Sequence, residues 1–394
     1  MKSSLPIAVV VIPTYNEAGS IGKMIEYLFT RTFPNIKNWQ IKILVVDDTS
    51  PDKTYEIVQK LEKIYPDLNL IINPNKQGIG AAYLIGFKYA MEKLQADAVF
   101  EMDGDFQHPP ELIPVMLSKL DAGYDYVIGS RKIPGGSNPK GWGFKRVFLS
   151  EVGSLVARII LFFPFKNFFK VTDPTTGFKV TRVKGYVDHL NLDPAHLYTK
   201  SFGYKFQLLF ETLLLGAKFD EVPLVFNVRT SGESKIENQA TVEMLMTTFK
   251  IRWHDPFIQK FLKFGIVGGF GFIVNVVGAK IFKSLLITPT SNISLLNGIC
   301  NALGSEIAII SNFIWNNLWT FAKEKITSPG ALISKFITFN LSSVITGIAI
   351  PSVVIAILTS FFGDHLFLFQ IIAIFGLTIP LNWFVYNKFI WKKK

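Results

Sequence analysis

The sequence predicts a two-part protein, in which an α/β domain with a mostly parallel, doubly wound sheet precedes an all-α membrane domain. Up to about Lys250, apolar runs alternate with charged, helix-like segments at the spacing of βαβ units. Beyond Phe261 the chain becomes a series of long apolar segments with few charges. We therefore expect a cytosolic domain over 1–238, an interfacial amphipathic helix or linker over 239–262, and a four-span transmembrane domain over 263–394.

Five short apolar runs predict the strands of the sheet. They are residues 7–12, 41–46, 68–72, 96–102 and 126–129. The first is a continuous β-branched run, which is typical of a strand buried on both faces. Helices are predicted over 20–29, from Asp52 to about Ile64, and from Gly78 onward. Gly78 and Gly80 do not complete a G-x-G-x-x-G sequence, so a dinucleotide site is weakly supported.

Polar residues follow three of these strands, at the edge where open α/β sheets bind their ligands. They are Tyr15 to Glu17, then Asp47 and Asp48, and finally Asp103 and Asp105. An acid at such a strand end commonly accepts hydrogen bonds from a ribose or base, a role we assign to Asp48 and Glu17, with Asp47 as a further candidate. The alternative is that Asp48 to Asp52 cap the next helix, which is about as good an interpretation for Asp52.

Asp103 and Asp105 stand two residues apart, just after a buried strand. Their oxygens suit a hard divalent cation that keeps waters and shares ligands with substrate phosphates. The alternative is an Asp-Gly turn with solvated acids. His108, followed by Pro109-Pro110, is interpreted as a structural turn residue and not as a catalytic base.

The composition excludes several classes of function. One cysteine, Cys300, rules out intramolecular disulfides and cysteine-rich zinc sites. The net charge is +11, but no nucleic-acid motif accompanies it, so we attribute the excess to an anionic lipid surface or to phosphorylated substrates. The apolar run 7–12 is too short for a signal peptide, so we expect the α/β domain to stay in the cytosol.

The strand-end motifs together resemble the inverting family 2 glycosyltransferases with the GT-A fold, a Rossmann-like, mostly parallel sheet. The resemblance rests on Pro13-Thr-Tyr-Asn-Glu17, Val46-Asp-Asp48, Asp103-Gly-Asp105-Phe-Gln107-His-Pro-Pro110 and Gly129-Ser-Arg131. Arg146 with Ser150, Asp173-Pro-Thr-Thr-Gly-Phe178 and Gly232-Glu-Ser-Lys235 extend it. More narrowly, the set is similar to the polyprenyl-phosphate glycosyltransferases, which include the dolichyl-phosphate mannose synthases.

This resemblance implies a set of site residues. Asp103, Asp105 and Gln107 would hold Mg²⁺ or Mn²⁺ on the donor diphosphate, with Asp105 and Arg131 as catalytic residues. The implied nucleotide-binding residues are Pro13, Tyr15, Glu17, Val46, Asp48, Asp103, Gly104 and Gln107.

A lipid phosphate acceptor is already ionised at neutral pH, so no strong general base is needed, but cationic side chains must hold two phosphates near each other. The candidates for these phosphate contacts are Arg131, Arg146, Ser150, Arg229 and Lys235. The alternative for each of the charged residues is a solvated surface charge.

One motif is missing. Processive members of the superfamily carry Q-x-x-R-W, whereas the only Arg-Trp pair of this chain is Arg252-Trp253, with Phe249 at the glutamine position. Transfer of a single sugar is therefore favoured over polymer extension.

Four membrane spans are predicted in the C-terminal part, over 264–282, 295–313, 336–358 and 366–386. Asn297, Asn301, Glu306 and Asn312 interrupt the second, and Glu306 is interpreted as a helix–helix contact in preference to a site for a polar lipid head. Lysines flank the spans so that the positive-inside rule places the catalytic domain and the C-terminus in the cytosol. The segments 148–169 and 242–261 pair apolar stripes with basic residues, as helices at a membrane surface do.

An internal repeat relates the two halves of the membrane part. Lys263-Phe264 recurs as Lys335-Phe336, and Asn312, Asn317, Trp319 and Phe321 match Asn382, Asn387, Phe389 and Trp391 at a constant offset. The arrangement resembles the GtrA-like four-helix domain, which implies a membrane anchor and a candidate contact for homo-oligomers.

The predicted function is transfer of one hexose, with inversion, from a nucleotide sugar to dolichyl or another polyprenyl phosphate. The motif from Asp103 to Pro110 resembles that of mannose synthases, so GDP-mannose is the leading donor and UDP-glucose the alternative. A rival of another class is a non-catalytic membrane scaffold or lipid-sugar transporter whose α/β domain only binds nucleotide. Besides the nucleotide sugar and the lipid phosphate, the expected partner is the lipid bilayer, with no nucleic acid.

Overall fold

A computed structural model describes residues 5–139, 141–164, 166–227, 238–286, 293–363 and 365–392. The chain divides into two compact units, with the division between Trp253 and His254.

The first unit is built on a seven-stranded sheet. Its strands are β1 (Ile7–Thr14), β2 (Gln40–Asp47), β3 (Leu68–Ile72), β4 (Ala98–Glu101), β5 (Tyr126–Ser130), β6 (Lys179–Arg182) and β7 (Phe219–Pro223). The spatial order is β3-β2-β1-β4-β6-β5-β7. All neighbours are parallel except β6, which runs antiparallel to β4 and to β5. The predicted fold class, a mostly parallel Rossmann-like sheet, is confirmed.

Helices cover both faces of this sheet. They are α1 (Ile21–Tyr27), α2 (Thr54–Glu62), α3 (Ile79–Glu92), α4 (Leu112–Asp121), α5 (Phe144–Phe162), α6 (Tyr204–Leu214) and α7 (Asn238–His254). Alternate residues of β1 enter two different cores: Val10 belongs to the cluster with α1, α2 and α4, and Val11 to the cluster with α3. This period of two follows from the strand geometry and explains why β1 is apolar throughout.

Each of the five predicted strands is present, but β6 and β7 were not predicted. Both are short and carry charged residues, Lys179 and Arg182 in β6 and Asp220 with Glu221 in β7. Their sequences therefore lack the apolar run on which a strand prediction depends. The insertion of β6 between β4 and β5 has a consequence for the site, because it brings the loop before Lys179 to the carboxyl ends of both neighbours.

The second unit is helical. It contains α8 (Pro256–Leu286), α9 (Ile293–Trp315), α10 (Pro329–Val344), α11 (Ile350–Phe362), α12 (Leu366–Ala373) and α13 (Ile379–Val385), and π-helical turns join α10 to α11 and α12 to α13. Within the described residues, two helices are long and apolar enough to cross a membrane, Pro256–Leu286 and Leu368–Ile390. They overlap the first and fourth predicted spans. The number of four spans and their orientation stay predictions.

The internal repeat is visible in this unit. α9 and α13 each run into a π-helical turn, Asn316–Thr320 and Tyr386–Ile390. The residues that follow the two turns, Phe321 and Trp391, stack with ring centroids 4.5 Å apart and planes 11° from parallel. Equivalent residues of the repeat thus meet in one aromatic core.

Candidate active site

The ends of β1 and β2 are tied together by Asp47. Its buried carboxylate accepts hydrogen bonds from the hydroxyls of Thr14 and Ser50, both at 2.7 Å, and from the Ser50 amide at 2.8 Å. These contacts fix the strand ends relative to each other, so Asp47 has a structural role. Asp52 accepts hydrogen bonds from the amide of Thr54, in the first turn of α2, and from the Ala18 amide, which supports the capping interpretation for that residue.

Asp48 holds the loop that leads into α3. One carboxylate oxygen accepts from Asn73 Nδ2 at 2.7 Å, and the other from the amides of Gln77 and Gly78 at 3.1 and 3.0 Å. Gly78 has φ +93°, a conformation that favours glycine. Asp48 therefore positions this loop. Its contact with a nucleoside stays a prediction.

The remaining residues predicted at this edge lie close to one another along β1 and β2. Pro13 pairs with the buried Val46 in the parallel register. The Tyr15 ring is half-buried under the ammonium of Lys76, whose Nζ lies 3.6 Å from the ring centroid. Glu17 accepts a hydrogen bond from the Ser20 hydroxyl at 3.1 Å. Lys76 was not predicted, and nothing in its local sequence distinguishes it from a surface lysine.

The acidic loop, residues 103–110, follows β4 and is anchored by His108. The Asp103 amide donates to His108 Nδ1 at 3.0 Å, and the buried imidazole stacks on Phe178 with centroids 5.1 Å apart. Burial lowers the pKa of His108 to about 4. Because Nδ1 is an acceptor, the neutral ring carries its proton on Nε2, 3.7 Å from the Asp103 carboxylate. His108 thus positions the loop, as its sequence context indicates.

The second half of the acidic loop is clamped to the chain after β7. Asp105 is 2% exposed and accepts a hydrogen bond from the Gln107 amide at 3.0 Å. Asn227 donates its own amide to the Gln107 carbonyl and its Nδ2 to the Phe106 carbonyl, both at 3.2 Å. Sequence reasoning missed Asn227, since only the sheet order brings β7 and this loop together. Gly104 packs tightly, because a Cβ at this position would lie 3.2 Å from both Ile12 and Ile21.

The oxygen donors of the acidic loop fit a divalent cation. Among the described residues, no three His, Cys, Asp or Glu side chains form a complete metal site. The loop nevertheless offers two carboxylates and the Gln107 amide, all hard ligands, which is the partial set that Mg²⁺ or Mn²⁺ uses when substrate phosphates complete the shell.

Arg131 follows β5 and is held by Asp173. Its Nε and Nη2 donate to the two carboxylate oxygens at 2.7 and 2.8 Å, and its backbone amide adds a third bond at 3.1 Å. Burial alone would raise the pKa of Asp173, but the guanidinium outweighs it and holds that pKa well below its usual range. Within the described part of the chain, Nη1 of Arg131 makes no hydrogen bond. Arg131 is therefore an anchored cation and not a solvated surface charge.

The other phosphate-binding candidates are distributed unevenly. Arg146 is exposed on the first turn of α5, with its guanidinium 4.2 Å from the Trp142 ring centroid. The same ring lies 5.9 Å from the Arg131 guanidinium, so Trp142 lies near both arginines. Ser150 stands one helical turn after Arg146 and therefore shares its face. Arg229 and Lys235 lie outside the described residues.

Comparisons with known proteins show which families the two parts of the chain match. Residues 9–188 match Glycosyl transferase family 2, and residues 263–391 match the family GtrA/DPMS, transmembrane domain. The chain is 32% identical over 378 residues to the dolichol-phosphate mannosyltransferase of Pyrococcus furiosus, which covers 95% of this chain and 97% of that protein. It is 34% identical over 248 residues to the undecaprenyl-phosphate mannosyltransferase of Micrococcus luteus, covering 62% and 94% of the two chains. The solved structure of mannosyl-3-phosphoglycerate synthase from Rubrobacter xylanophilus aligns with a TM-score of 0.45 at 16% identity, covering 62% and 73%.

Proposed function

The chain belongs to glycosyl transferase family 2, with a GtrA/DPMS-type transmembrane domain, and we propose that this glycosyltransferase moves mannose from GDP-mannose to dolichyl or another polyprenyl phosphate. The product would be a β-linked mannosyl phosphate lipid. Relatives with this activity in their names, among them the protein of Pyrococcus furiosus that matches nearly the whole chain, support the sugar and the acceptor class.

The observation that carries the proposal is the arrangement at the carboxyl edge of the sheet. The acidic loop presents oxygen ligands, and the anchored guanidinium of Arg131 follows β5, one strand beyond β6. A donor diphosphate and an acceptor phosphate that must lie near each other need such a combination: oxygen ligands for a cation on the donor diphosphate and a cationic side chain for the acceptor phosphate.

In the proposed reaction an oxygen of the lipid phosphate attacks the anomeric carbon of the sugar, and the bond from that carbon to the donor phosphate breaks, so that the nucleoside diphosphate leaves. A cation held by Asp103, Asp105 and Gln107 would neutralise charge on the leaving diphosphate. Arg131 and Arg146, with Ser150, would orient the acceptor phosphate. No proton has to be removed, which fits a site whose one buried imidazole, among the described residues, is neutral and committed to holding a loop.

The residues at the ends of β1 and β2 would bind the nucleoside. In this proposal Pro13, Tyr15 and Glu17 contact the base and ribose, together with Val46 and Asp48. Gly104 lets the backbone of the acidic loop lie close to β1 and α1. Arg229 and Lys235 are proposed to contact phosphate from their motif alone.

The chain is membrane-associated, and we propose that four spans place the catalytic domain and the C-terminus in the cytosol. The domain limits 1–238, 239–262 and 263–394 belong to the same proposal. α5 supports a membrane-facing role for the first unit, because it exposes an apolar face. The exposed side chains are Phe144, Phe148, Val152, Leu155 and Ile159. An exposed apolar stripe of this kind can lie in the headgroup layer, where a lipid phosphate is found.

The test is transfer in detergent with Mg²⁺, dolichyl phosphate, and radiolabelled GDP-mannose or UDP-glucose in parallel. We expect lipid-soluble label from GDP-mannose. Asp105→Asn keeps the size of the side chain but removes its charge, and we expect it to lower transfer at least roughly 100-fold, the scale of lost electrostatic transition-state stabilisation. If only UDP-glucose gives lipid-soluble label, the donor is UDP-glucose and not GDP-mannose. If neither donor gives label, a non-catalytic scaffold or transporter is favoured. Undiminished transfer by folded Asp105→Asn would contradict the site.

A further inference from the structure

Tyr83, in the first half of α3, is a buried side chain that the reaction described above does not use. It is 0% exposed, and its hydroxyl donates toward Oδ1 of Asp103 over 3.5 Å. A buried tyrosine hydroxyl needs a hydrogen-bond partner, and here the partner is one of the two carboxylates of the acidic loop. Tyr83 therefore reaches the candidate cation site from an element that carries none of the assigned site residues.

The carboxylate of Asp103 lies between two neutral donors. The Tyr83 hydroxyl faces Oδ1, and Nε2 of His108, which carries the ring proton, lies 3.7 Å from Oδ2. Both distances are longer than the roughly 2.8–3.0 Å of an ordinary hydrogen bond, and hydrogen bonds in ligand-free sites often shorten when the ligand is bound. The side chain of Asp103 is still 24% exposed. This carboxylate suits a cation, because neutral donors set its direction without neutralising its charge.

Tyr83 is itself held in place by its ring. The ring stacks on that of Tyr204 in α6, with centroids 5.4 Å apart and planes 27° from parallel, and its centroid lies 6.0 Å from that of Phe87. α3 and α6 are in close contact here, since a Cβ on Gly80 would lie only 2.8 Å from Cβ of Tyr204. The packing of the ring thus fixes where the hydroxyl of Tyr83 meets the acidic loop.

Tyr204 provides a comparison, because the two stacked tyrosines donate to two acids of one chain segment. Glu101 is the last residue of β4 and Asp103 follows two residues later, so the strand period of two sets them on the same side. The Tyr204 hydroxyl donates to Glu101 at 3.0 Å, and both of these side chains are buried. Tyr204 therefore supports a carboxylate inside the fold, whereas Tyr83 supports the one that is open to the site.

We propose that Tyr83 is a positioning residue, whose hydroxyl orients the Asp103 carboxylate toward the divalent cation of the donor diphosphate. The proposal rests on the proposed function for the identity of that cation. The opposing interpretation is that Tyr83 only fills the core between α3 and α6, in which case the ring matters and its oxygen does not. Removal of the oxygen alone distinguishes the two.

The test compares Tyr83→Phe with Tyr126→Phe in the full chain in detergent. Tyr126 is also buried, but within the described residues its hydroxyl has no hydrogen-bond partner, so this variant controls for the loss of a buried phenol oxygen. The measurement is binding of Mn²⁺ in the presence of GDP or UDP, by electron paramagnetic resonance of the free ion, which needs no turnover. We expect Tyr83→Phe to raise the Kd for Mn²⁺ about 10-fold and Tyr126→Phe to leave it unchanged.

A double-mutant cycle shows whether Tyr83 acts through Asp103. In an Asp103→Ala background, Tyr83→Phe should cause no further loss of Mn²⁺ affinity, whereas independent effects would add. In the transfer assay, Tyr83→Phe should need about 10-fold more Mg²⁺ for the half-maximal rate, with kcat at saturating Mg²⁺ nearly unchanged. A parental Mn²⁺ Kd in Tyr83→Phe, or additive losses in the cycle, would overturn the proposal.

The thermal midpoint of the ligand-free protein separates positioning from a structural role. Tyr83→Phe keeps the ring and its stacking, so we expect a midpoint close to that of the parent. Tyr204→Phe should melt lower with an unchanged Mn²⁺ Kd, because it withdraws a donor from the buried carboxylate of Glu101. If Tyr83→Phe behaves like Tyr204→Phe in both measurements, its role is structural and the proposal is wrong. A parent that binds Mn²⁺ but transfers no sugar would refute the proposed function, whereas the Mn²⁺ Kd would still decide the role of Tyr83.

Discussion

The acidic loop and the Arg131–Asp173 pair lie at the same edge of the sheet, but they are held in place by different forces. The acidic loop is fixed by single hydrogen bonds, and three of them join neutral groups: a backbone amide to His108, and two bonds from Asn227 to backbone carbonyls. Arg131 is fixed by opposite charges, both nearly inaccessible to solvent, at 2.7 Å. Loss of one hydrogen bond in the loop should therefore cost little stability, whereas loss of either member of the ion pair should cost much more, because it leaves the other charge buried without a partner.

Asp173→Ala should have the largest effect. It leaves the buried guanidinium of Arg131 without its carboxylate, and breaking one side of such a pair costs about 3–5 kcal/mol of folding free energy. We expect a large drop in the thermal midpoint together with loss of transfer.

The double variant Arg131→Met with Asp173→Leu is the matched control for this change. It removes both charges, so much of the stability should return while transfer stays absent. Equal stability of the single and double variants would show that charge is not what holds this corner of the site.

The pH dependence of stability should distinguish the two regions, because His108 in the acidic loop and Asp173 in the ion pair titrate over different pH intervals. The pKa of His108 is lowered from 6.5 to about 4, so the unfolded chain binds a proton before the folded one as the pH falls through this interval. Stability conferred by the neutral ring is present above pH 6.5 and is lost toward pH 4, by at most about 3 kcal/mol.

Asp173 titrates lower. Its folded pKa lies below the ordinary 3.8, so the stability of the pair is complete above that value and is lost only as the pH falls below it. Thermal midpoints measured from pH 8 to pH 3 for the parent, His108→Gln and Asp173→Asn check both windows. His108→Gln should remove the pH dependence of the thermal midpoint between pH 6.5 and pH 4. Asp173→Asn should remove the pH dependence below pH 3.8. If both variants change the same interval, the two regions are not independent.

Asn227→Ala should have a smaller effect, because it removes only the side-chain bond to the Phe106 carbonyl and keeps the backbone bond to Gln107. The cost in stability should be about 1 kcal/mol. Since the acidic loop would still form but with a looser second half, we expect transfer to need more Mg²⁺, with kcat at saturating Mg²⁺ nearly unchanged. An unaltered Mg²⁺ requirement would show that the clamp does not position the loop.

The same contrast explains what the sequence could and could not predict. The acidic loop is continuous in sequence and follows an apolar run, so its place at the end of β4 was predictable. Arg131 was predicted as a site residue, but not its ion pair with Asp173, because the two are joined through a four-residue strand, β6, with two charged residues and no apolar run. Asn227 was missed for the same physical reason: it reaches the acidic loop through the strand order, which no local pattern encodes.

Lys76→Ala should have the smallest effect of the series. The lysine covers the Tyr15 ring at 3.6 Å, and a cation–π contact at such a partly exposed position is worth about 0.5–1 kcal/mol. If Tyr15 stacks on or packs against the nucleoside, the ring must be uncovered first, so removal of Lys76 should tighten GDP binding about two- to fivefold without changing the thermal midpoint of the ligand-free protein appreciably. Calorimetry with Lys76→Met as the size-matched variant checks this. If GDP binding weakens instead, Lys76 itself contacts the ligand. The residues at the end of β1 would then bind substrate through charge, as Arg131 is proposed to do at the end of β5.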